Sequence, residues 1–203
     1  VTYNTYELKK LQIQYFGKKL KVTIPLYGLS NAKNALAAIS VAIHLGISQK
    51  LIQSGIKKLH QVKGRLYLEK FANSILIDDT YNSNPTSFKA ACELVSRIKI
   101  YNQKTLIIGD MFELGEDSEK MHVEIAKHII KYKIKNVFIL GKLMKHLYST
   151  LEVQNITVRY FSSRQALTKF IKKYDYDKQV VLVKGSRGMK MEDFVNQIRE
   201  MEK

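Results

Sequence analysis

Four polar segments of the sequence carry residue types that bind anions, hydroxyl groups and nucleotides. They span residues 78–85 (DDTYNSNP), 109–115 (GDMFELG), 141–142 (GK) and 184–192 (KGSRGMKME). Each follows a short apolar run with the composition of a buried strand. Because ligands of open parallel sheets bind beyond the carboxyl ends of the strands, we expect the four segments to line one cleft.

The first two segments supply carboxylates. Asp78 and Asp79 either bind the hydroxyl pair of a ribose, as acidic residues do in dinucleotide sites, or serve only as turn formers. Asp110 and Glu113 either join the cleft or cap the turn that follows them. The residue types therefore allow a nucleotide site here, and they also allow plain turns.

The last segment has the composition of an anion site. Its glycines allow close backbone approach, the helix that follows attracts anions at its amino end, and Arg187 offers a bidentate fork. The helix dipole contributes only about 0.3–1 kcal/mol, so the charges of Lys184 and Arg187 must dominate. A turn with solvated charges is the alternative.

Three polar residues lie upstream of these segments. Asn31 is either the N-cap of an alanine-rich helix or part of a site, and Asn34, one turn further on, can pair with the edge of a purine. Arg65 stands where we expect a domain junction. It is either a structural ion-pair partner or a residue that reaches a phosphate.

The elements that position these residues alternate between strands and helices from residue 65 onward. Strands are expected at residues 74–77, 105–108, 137–140, 157–160 and 180–183, and helices from about residues 84, 118, 141, 163 and 190. Short continuous apolar strands separated by helices predict an α/β, Rossmann-like domain with a mostly parallel sheet and helices on both faces.

The first 60 residues follow a different pattern. Two strands joined by a turn are expected within residues 3–24, a buried helix over 31–45 closed by Gly46, and a second helix over 49–59. We therefore place a boundary near residues 60–65, with one domain over 1–63 and a second over 64–203.

Composition limits the classes of partner. The net charge of +16 favours anionic partners, although the lysines are scattered as on ordinary solvated faces. A nucleic-acid-binding protein needs basic residues clustered with aromatic ones, and no such stripe is visible, so we expect no nucleic-acid partner. No apolar run approaches the roughly 18 residues of a membrane-spanning helix, so no membrane insertion is expected.

The cysteine and histidine content argues against several kinds of site. The single cysteine, Cys92, lies in a helical apolar pattern and is expected to be a buried thiol, which fits a reducing cytoplasm. The five histidines show no metal-ligand spacing and no catalytic triad. The sequence begins at Val1 without a charged leader or an initiator Met, so we expect either a fragment or a processed chain.

Several of these segments resemble the motifs of the Mur ligase family. Residues 28–35 (GLSNAKNA) resemble its Gly-x-His-Asn-x-x-Asn-Ala motif, and residues 62–66 (VKGRL) resemble the arginine motif that ends its central domain. The segments 78–85, 109–115 and 184–189 are similar to the MurF branch in particular. The resemblance spans roughly residues 25–200.

This resemblance implies an ATP- and Mg²⁺-dependent ligase that adds D-alanyl-D-alanine to UDP-N-acetylmuramoyl-tripeptide through an acyl phosphate in the cytoplasm, as a monomer. By the family pattern Asn34 contacts adenine, Arg65 a phosphate and Asp79 the ribose, and Asn31 belongs to the same ATP-binding set. The candidates for the D-alanyl-D-alanine cleft are Tyr81, Asn82, Asn84, Lys184, Ser186 and Arg187.

Two departures from the family pattern matter. Ser30 stands where the family usually has His, so the role of that imidazole does not carry over to this position. No Gly-x-x-x-x-Gly-Lys-Ser/Thr phosphate loop occurs in the 203 residues. The chain is therefore expected to hold the last part of the ATP domain and a complete third domain, with no catalytic residue, no metal ligand and no activity alone.

Two alternative functions remain. The first is a stand-alone Rossmann-like nucleotide-binding module, and the second, which is less favoured, is a basic nucleic-acid-binding protein.

Overall fold

The computed structural model describes residues 9–201, and the chain divides into two compact units, Val1–Val62 and Lys63–Lys203. Each unit buries its own apolar cluster. The assignment of the first unit to the end of an ATP-binding domain stays a prediction.

The first unit packs two helices on a β-hairpin. Strands β1 (Lys9–Tyr15) and β2 (Lys18–Ile24) pair antiparallel, and helices α1 (Leu29–His44) and α2 (Gln49–Lys57) follow. Residues 3–8 of the predicted first strand lie outside the described residues. The residues that fill the core of this unit are Leu20, Val22, Ile24, Ala32, Ala35, Ile39, Ile52 and Ile56.

Helix α1 begins two residues before the predicted start. Its N-cap is Gly28, with a φ of 84° that glycine adopts without strain. Asn31 therefore lies inside the first turn, and the interpretation of Asn31 as the N-cap was wrong. At the other end Gly46 has a φ of 74° and donates its N–H to the Ile43 carbonyl at 3.0 Å, as expected for a glycine that ends a helix.

The second unit contains a six-stranded sheet in the order β3-β4-β8-β5-β6-β7. Only β3 runs antiparallel to its neighbour, and the other pairings are parallel. The strands are β3 (Tyr67–Phe71), β4 (Ser74–Asp79), β5 (Gln103–Gly109), β6 (Asn136–Leu140), β7 (Thr157–Phe161) and β8 (Gln179–Lys184). The predicted α/β class with a mostly parallel sheet is confirmed.

Helices cover both faces of this sheet. They are α3 (Pro85–Arg97), α4 (Ser118–Glu124), α5 (Ala126–Lys131), α6 (Met144–Glu152), α7 (Arg164–Ile171) and α8 (Glu192–Glu200). Helices α7 and α8 share one apolar cluster with Leu76, Ile107 and Val181. Their sequence neighbours, such as Ile77 and Leu106, are equally buried and point to the opposite face, because side chains alternate along a strand.

Two features of the second unit were not predicted. Strand β3 carries exposed charge between its buried positions and turns sharply into β4 at Ala72, where φ is 46°. Its short, mixed pattern gave no strand signal, because an edge strand buries only part of its surface. The helix expected from residue 118 is two helices, α4 and α5, that meet at Ile125.

Within residues 9–201, no helix is both long enough and apolar enough to cross a lipid bilayer.

Candidate functional site

The four polar segments meet at the carboxyl edge of the sheet. Strand β8 lies between β4 and β5, and Lys184 at its end pairs in register with Asp79 on one side and Ile108 on the other. Ser186 donates its N–H to the Asp110 carbonyl at 3.0 Å. Asp110 Oδ1 accepts the N–H of Met144 at 2.9 Å, which brings in the segment after β6. The expected convergence of these loops is therefore present.

A buried ion pair lies at the centre of this edge. Lys184 Nζ donates to Asp79 Oδ2 at 2.7 Å and to the Asn82 carbonyl at 3.0 Å, and the lysine side chain is only 1% exposed. Asp79 Oδ1 accepts the N–H of Leu66 at 3.0 Å. Both carboxylate oxygens thus tie the ends of β4 and β8 to the segment that precedes β3.

Asp78 has a different role from its neighbour. Its Oδ1 accepts from Thr80 Oγ1 at 2.7 Å, and its Oδ2 lies 3.7 Å from Arg199 Nη2. These contacts match the turn-forming interpretation for Asp78. Because successive strand residues face opposite sides of the sheet, only Asp79 points toward the ion pair with Lys184.

Two arginine guanidinium groups lie over the ring of Tyr81. The Arg65 guanidinium carbon lies 3.9 Å from the centroid of the Tyr81 ring, and that of Arg187 lies 5.7 Å from it. All three side chains are exposed, and within residues 9–201 neither arginine has an acidic partner. Two unneutralised arginines on one aromatic ring form a strongly anion-attracting surface, since guanidinium groups bind phosphate and carboxylate in bidentate geometry.

The backbone around Gly64 brings Arg65 to Tyr81. Tyr81 donates its N–H to the Gly64 carbonyl at 2.9 Å. Gly64 has a φ of 78°, and a Cβ added there would lie 3.2 Å from the Tyr81 nitrogen. The close approach and the left-handed backbone both favour glycine at this position.

Of the remaining residues predicted to line the cleft, one is buried and two are exposed. Ser186 is buried, and its Oγ accepts from Phe112 N at 2.8 Å and donates to the Ser83 carbonyl at 3.3 Å. Asn84 is exposed and caps α3 through a reciprocal pair of hydrogen bonds with Ser87, as its position before Pro85 predicts. Asn82, also exposed, accepts the Ser83 N–H on its Oδ1 at 2.8 Å, which leaves its amide N–H groups at the surface.

Two residues of the second loop, Phe112 and Glu113, and His122 on α4 have structural features that the sequence did not reveal. Phe112 packs so close to Gly188 that a Cβ there would lie 2.9 Å from the ring. Glu113 is exposed, with a φ of 61° that non-glycine residues rarely adopt. His122 is fully buried and accepts the Met111 N–H on Nε2 at 2.9 Å. The helical spacing of His122 with buried Ile125, Ala126 and Ile129 was the signal that marked it as a core-facing residue.

The two predicted asparagines lie on α1 of the first unit. Asn31 Nδ2 donates to the Tyr27 carbonyl at 2.8 Å, so this side chain stabilises the start of the helix. Asn34 is exposed, and its side chain has no hydrogen-bond partner in the described part of the chain. Ser30, which stands where the family motif has His, is also exposed.

The described residues fit the two expected ligands differently. The arginines on Tyr81 match the negative charge of a nucleoside polyphosphate. No group of three or more His, Cys, Asp or Glu between residues 9 and 201 is arranged to hold a metal ion. These residues therefore do not fit Mg²⁺ by themselves.

The comparisons with known proteins agree on one family. The family model described as Mur ligase, glutamate ligase domain, matches residues 64–187. The UDP-N-acetylmuramoyl-tripeptide–D-alanyl-D-alanine ligase of Bacillus subtilis is 32% identical over 215 residues, covering 98% of this chain and 46% of that protein. The resemblance to the Mur ligases is thereby confirmed.

Solved structures share the fold. The MurF protein of Acinetobacter baumannii superposes with a TM-score of 0.82 at 26% identity, covering 97% of this chain and 45% of that one. The MurF ligase of Thermotoga maritima in complex with ADP gives a TM-score of 0.80 at 20% identity, covering 98% and 45%. This chain spans less than half the length of these relatives.

Proposed function

The chain belongs to the Mur ligase family, and from that premise we propose that it is the carboxyl-terminal half of a MurF-type ligase. The proposed reaction joins D-alanyl-D-alanine to UDP-N-acetylmuramoyl-tripeptide, with ATP activating the tripeptide carboxylate as an acyl phosphate. The Bacillus subtilis relative named above carries this ligase activity in its name, and it supports the substrate assignment.

The pairing of Arg65 and Arg187 on the Tyr81 ring carries the proposal. The reaction brings together a nucleotide, a phosphorylated carboxylate and a dipeptide carboxylate, all of which are anionic. Two exposed arginines without acidic partners in residues 9–201 suit such ligands, and the Tyr81 ring keeps both guanidinium groups at the carboxyl edge. Convergence of four loops on that edge supports a site rather than a set of separate turns.

In this proposal the candidate residues divide by exposure. Arg65, which is exposed, contacts a phosphate of ATP, and Asn34, also exposed, contacts adenine. Asp79 on the ribose side and Asn31 complete the ATP-binding set, and both also hold the fold, Asp79 through Lys184 and the Leu66 N–H and Asn31 through the Tyr27 carbonyl. Tyr81, Asn82, Asn84 and Arg187 are the exposed lining of the D-alanyl-D-alanine cleft. Lys184 and Ser186 are buried, and they hold the cleft loops through the ion pair with Asp79 and the bonds to Phe112 and Ser83.

We assign the remaining parts of the reaction to residues outside this chain. The 203 residues contain no phosphate loop, and phosphoryl transfer needs a cradle of backbone amides, a lysine and a magnesium site. The Mg²⁺ ligands are proposed to lie with that loop. A cytoplasmic, monomeric enzyme is the form we propose, and the buried free thiol of Cys92 supports a reducing compartment.

The test compares the 203-residue chain with the protein that includes its upstream coding sequence. We expect the longer protein to release phosphate only when ATP, UDP-N-acetylmuramoyl-tripeptide and D-alanyl-D-alanine are all present, and the 203 residues alone to show no turnover. Turnover by the isolated chain would refute the proposal that the phosphate loop and the Mg²⁺ ligands lie outside these 203 residues.

A longer protein that binds ATP but ligates nothing would favour the stand-alone nucleotide-binding module. Tight binding to a random DNA duplex that weakens steeply with salt would favour the nucleic-acid-binding alternative.

A further inference from the structure

His122 is a buried histidine that the reaction proposed above does not use, yet it contacts the loop after β5. The residue lies on α4, and its side chain is fully enclosed. Its Nε2 accepts the Met111 N–H at 2.9 Å, and its Nδ1 lies 2.7 Å from the Ser118 carbonyl oxygen. Because Nε2 acts as an acceptor, the proton is on Nδ1, and the neutral ring donates to Ser118.

The loop that His122 holds carries two of the backbone groups that hydrogen-bond to Ser186. Met111 lies between Asp110, whose carbonyl accepts the Ser186 N–H at 3.0 Å, and Phe112, whose N–H donates to Ser186 Oγ at 2.8 Å. Ser186 is therefore held in part by the two residues that flank Met111, and the Met111 N–H is bound by His122.

Ser186 is connected to the segments that carry Arg187 and Tyr81, two of the exposed residues of the cleft. Arg187 follows Ser186 directly and is the first residue of a short 3-10 helix, Arg187–Met189. Ser186 Oγ also donates to the Ser83 carbonyl at 3.3 Å, two residues beyond Tyr81. A hydrogen-bonded path thus runs from the His122 ring to both sides of the Arg187–Tyr81 contact.

We infer that His122 is a positioning residue for Arg187, acting through Met111 and Ser186. This inference rests on the proposed function, because Arg187 and Tyr81 line the D-alanyl-D-alanine cleft there. The imidazole suits the role because it presents an acceptor and a donor on one rigid ring. An apolar residue of similar size leaves the Met111 N–H buried without a partner, so the loop shifts to satisfy it. Misplacement of a binding group by about 1 Å lowers catalytic efficiency by roughly a hundredfold.

The first measurement does not depend on ligase activity. We compare amide hydrogen exchange in the 203-residue chain between wild type, His122→Phe, which removes both bonds, and His122→Gln, which keeps an acceptor and a donor. His146→Gln, at an exposed histidine, is the control. The amides of Met111, Phe112 and Ser186 should exchange at least tenfold faster in His122→Phe and recover in His122→Gln. Unchanged exchange at Ser186 would overturn the inference.

The second measurement uses the longer, active protein. His122→Phe should raise KM for D-alanyl-D-alanine about tenfold and leave KM for ATP within twofold, and His122→Gln should restore most of the loss. Ser186→Ala, a smaller change, should give the same selective rise. The double variant should add little to it, because both residues act along one path. Equal losses for both substrates, or fully additive effects, would contradict the path.

The two measurements separate this inference from the proposed function. A wild-type protein without ligase activity would refute the function, and the exchange data would still decide whether His122 positions Ser186. Active protein with unaltered exchange in His122→Phe would refute the inference and leave the function standing.

Discussion

The Lys184 ammonium donates to Asp79 Oδ2 at 2.7 Å, at the last paired positions of β4 and β8, and the lysine side chain is only 1% exposed. The other carboxylate oxygen of Asp79 accepts the N–H of Leu66 at 3.0 Å. This one pair therefore joins two strand ends and the residue that follows Arg65. Its removal affects the cleft and the stability of the fold together.

Lys184→Met should lower the free energy of unfolding of the chain by about 3–5 kcal/mol, because it leaves the Asp79 carboxylate buried without its counter-ion. Urea denaturation measures this change. The double variant Asp79→Asn, Lys184→Met should recover most of the stability, since asparagine keeps an acceptor for the Leu66 N–H. A single variant that costs less than about 1 kcal/mol would show that the pair is not buried as described.

Gly64→Ala should destabilise the protein by about 1–3 kcal/mol, because a non-glycine residue at a φ of 78° is strained and its Cβ would lie 3.2 Å from the Tyr81 nitrogen. Gly115→Ala is the matched control, with a φ of 65° and no atom within 4 Å of the added Cβ. The difference between the two variants in urea denaturation isolates the close approach to Tyr81. Equal losses would indicate backbone strain alone.

Arg65→Gln should lower kcat/KM for ATP about tenfold to a hundredfold in the longer protein, because a charged hydrogen-bond donor to phosphate is lost. Arg187→Gln should act mainly on D-alanyl-D-alanine. Arg159→Gln is the control, because Arg159 also stacks on an aromatic ring, 4.9 Å from the Phe170 centroid, but lies in β7. Steady-state kinetics with each substrate varied in turn measure these changes. Unaltered values of kcat/KM for Arg65→Gln would remove Arg65 from the site.

Lys104 should make stability depend on pH. Burial, with a smaller contribution from Lys99, lowers the pKa of Lys104 to about 8, while the unfolded chain keeps the ordinary value near 10.5. The unfolded state therefore binds more protons between these values, so the contribution of Lys104 to stability rises as pH increases from 8 to about 10 and is constant below 8.

Lys104→Met removes this dependence. The stability of wild type relative to Lys104→Met should increase between pH 8 and pH 10 in urea denaturation, while the exposed Lys120→Met serves as the control and shows no such trend. A wild-type advantage that decreases over this range would mean that the pKa of Lys104 is raised in the fold.

Most strands and helices of the second unit, though not β3 or the division between α4 and α5, could be predicted from the sequence, as could the grouping of polar loops at one edge. Apolar runs such as 180–183 are short and continuous, which is typical of strands covered on both faces, and helices separate them. Parallel strands place their carboxyl ends on one edge, so loops far apart in sequence were expected to meet. The roles of individual site residues remain predictions, because they depend on ligands rather than on packing.

Only the tertiary structure decided which of these polar residues are exposed at the edge of the sheet and which are buried in contacts that hold the fold. Asp78 and Asp79 are identical and adjacent in sequence, yet one faces Arg199 and the other Lys184, because the pleat sends neighbouring side chains to opposite faces. The insertion of β8 between β4 and β5 buries Lys184 against Asp79. Contacts of this kind join residues more than a hundred positions apart, and local periodicity carries no information about them.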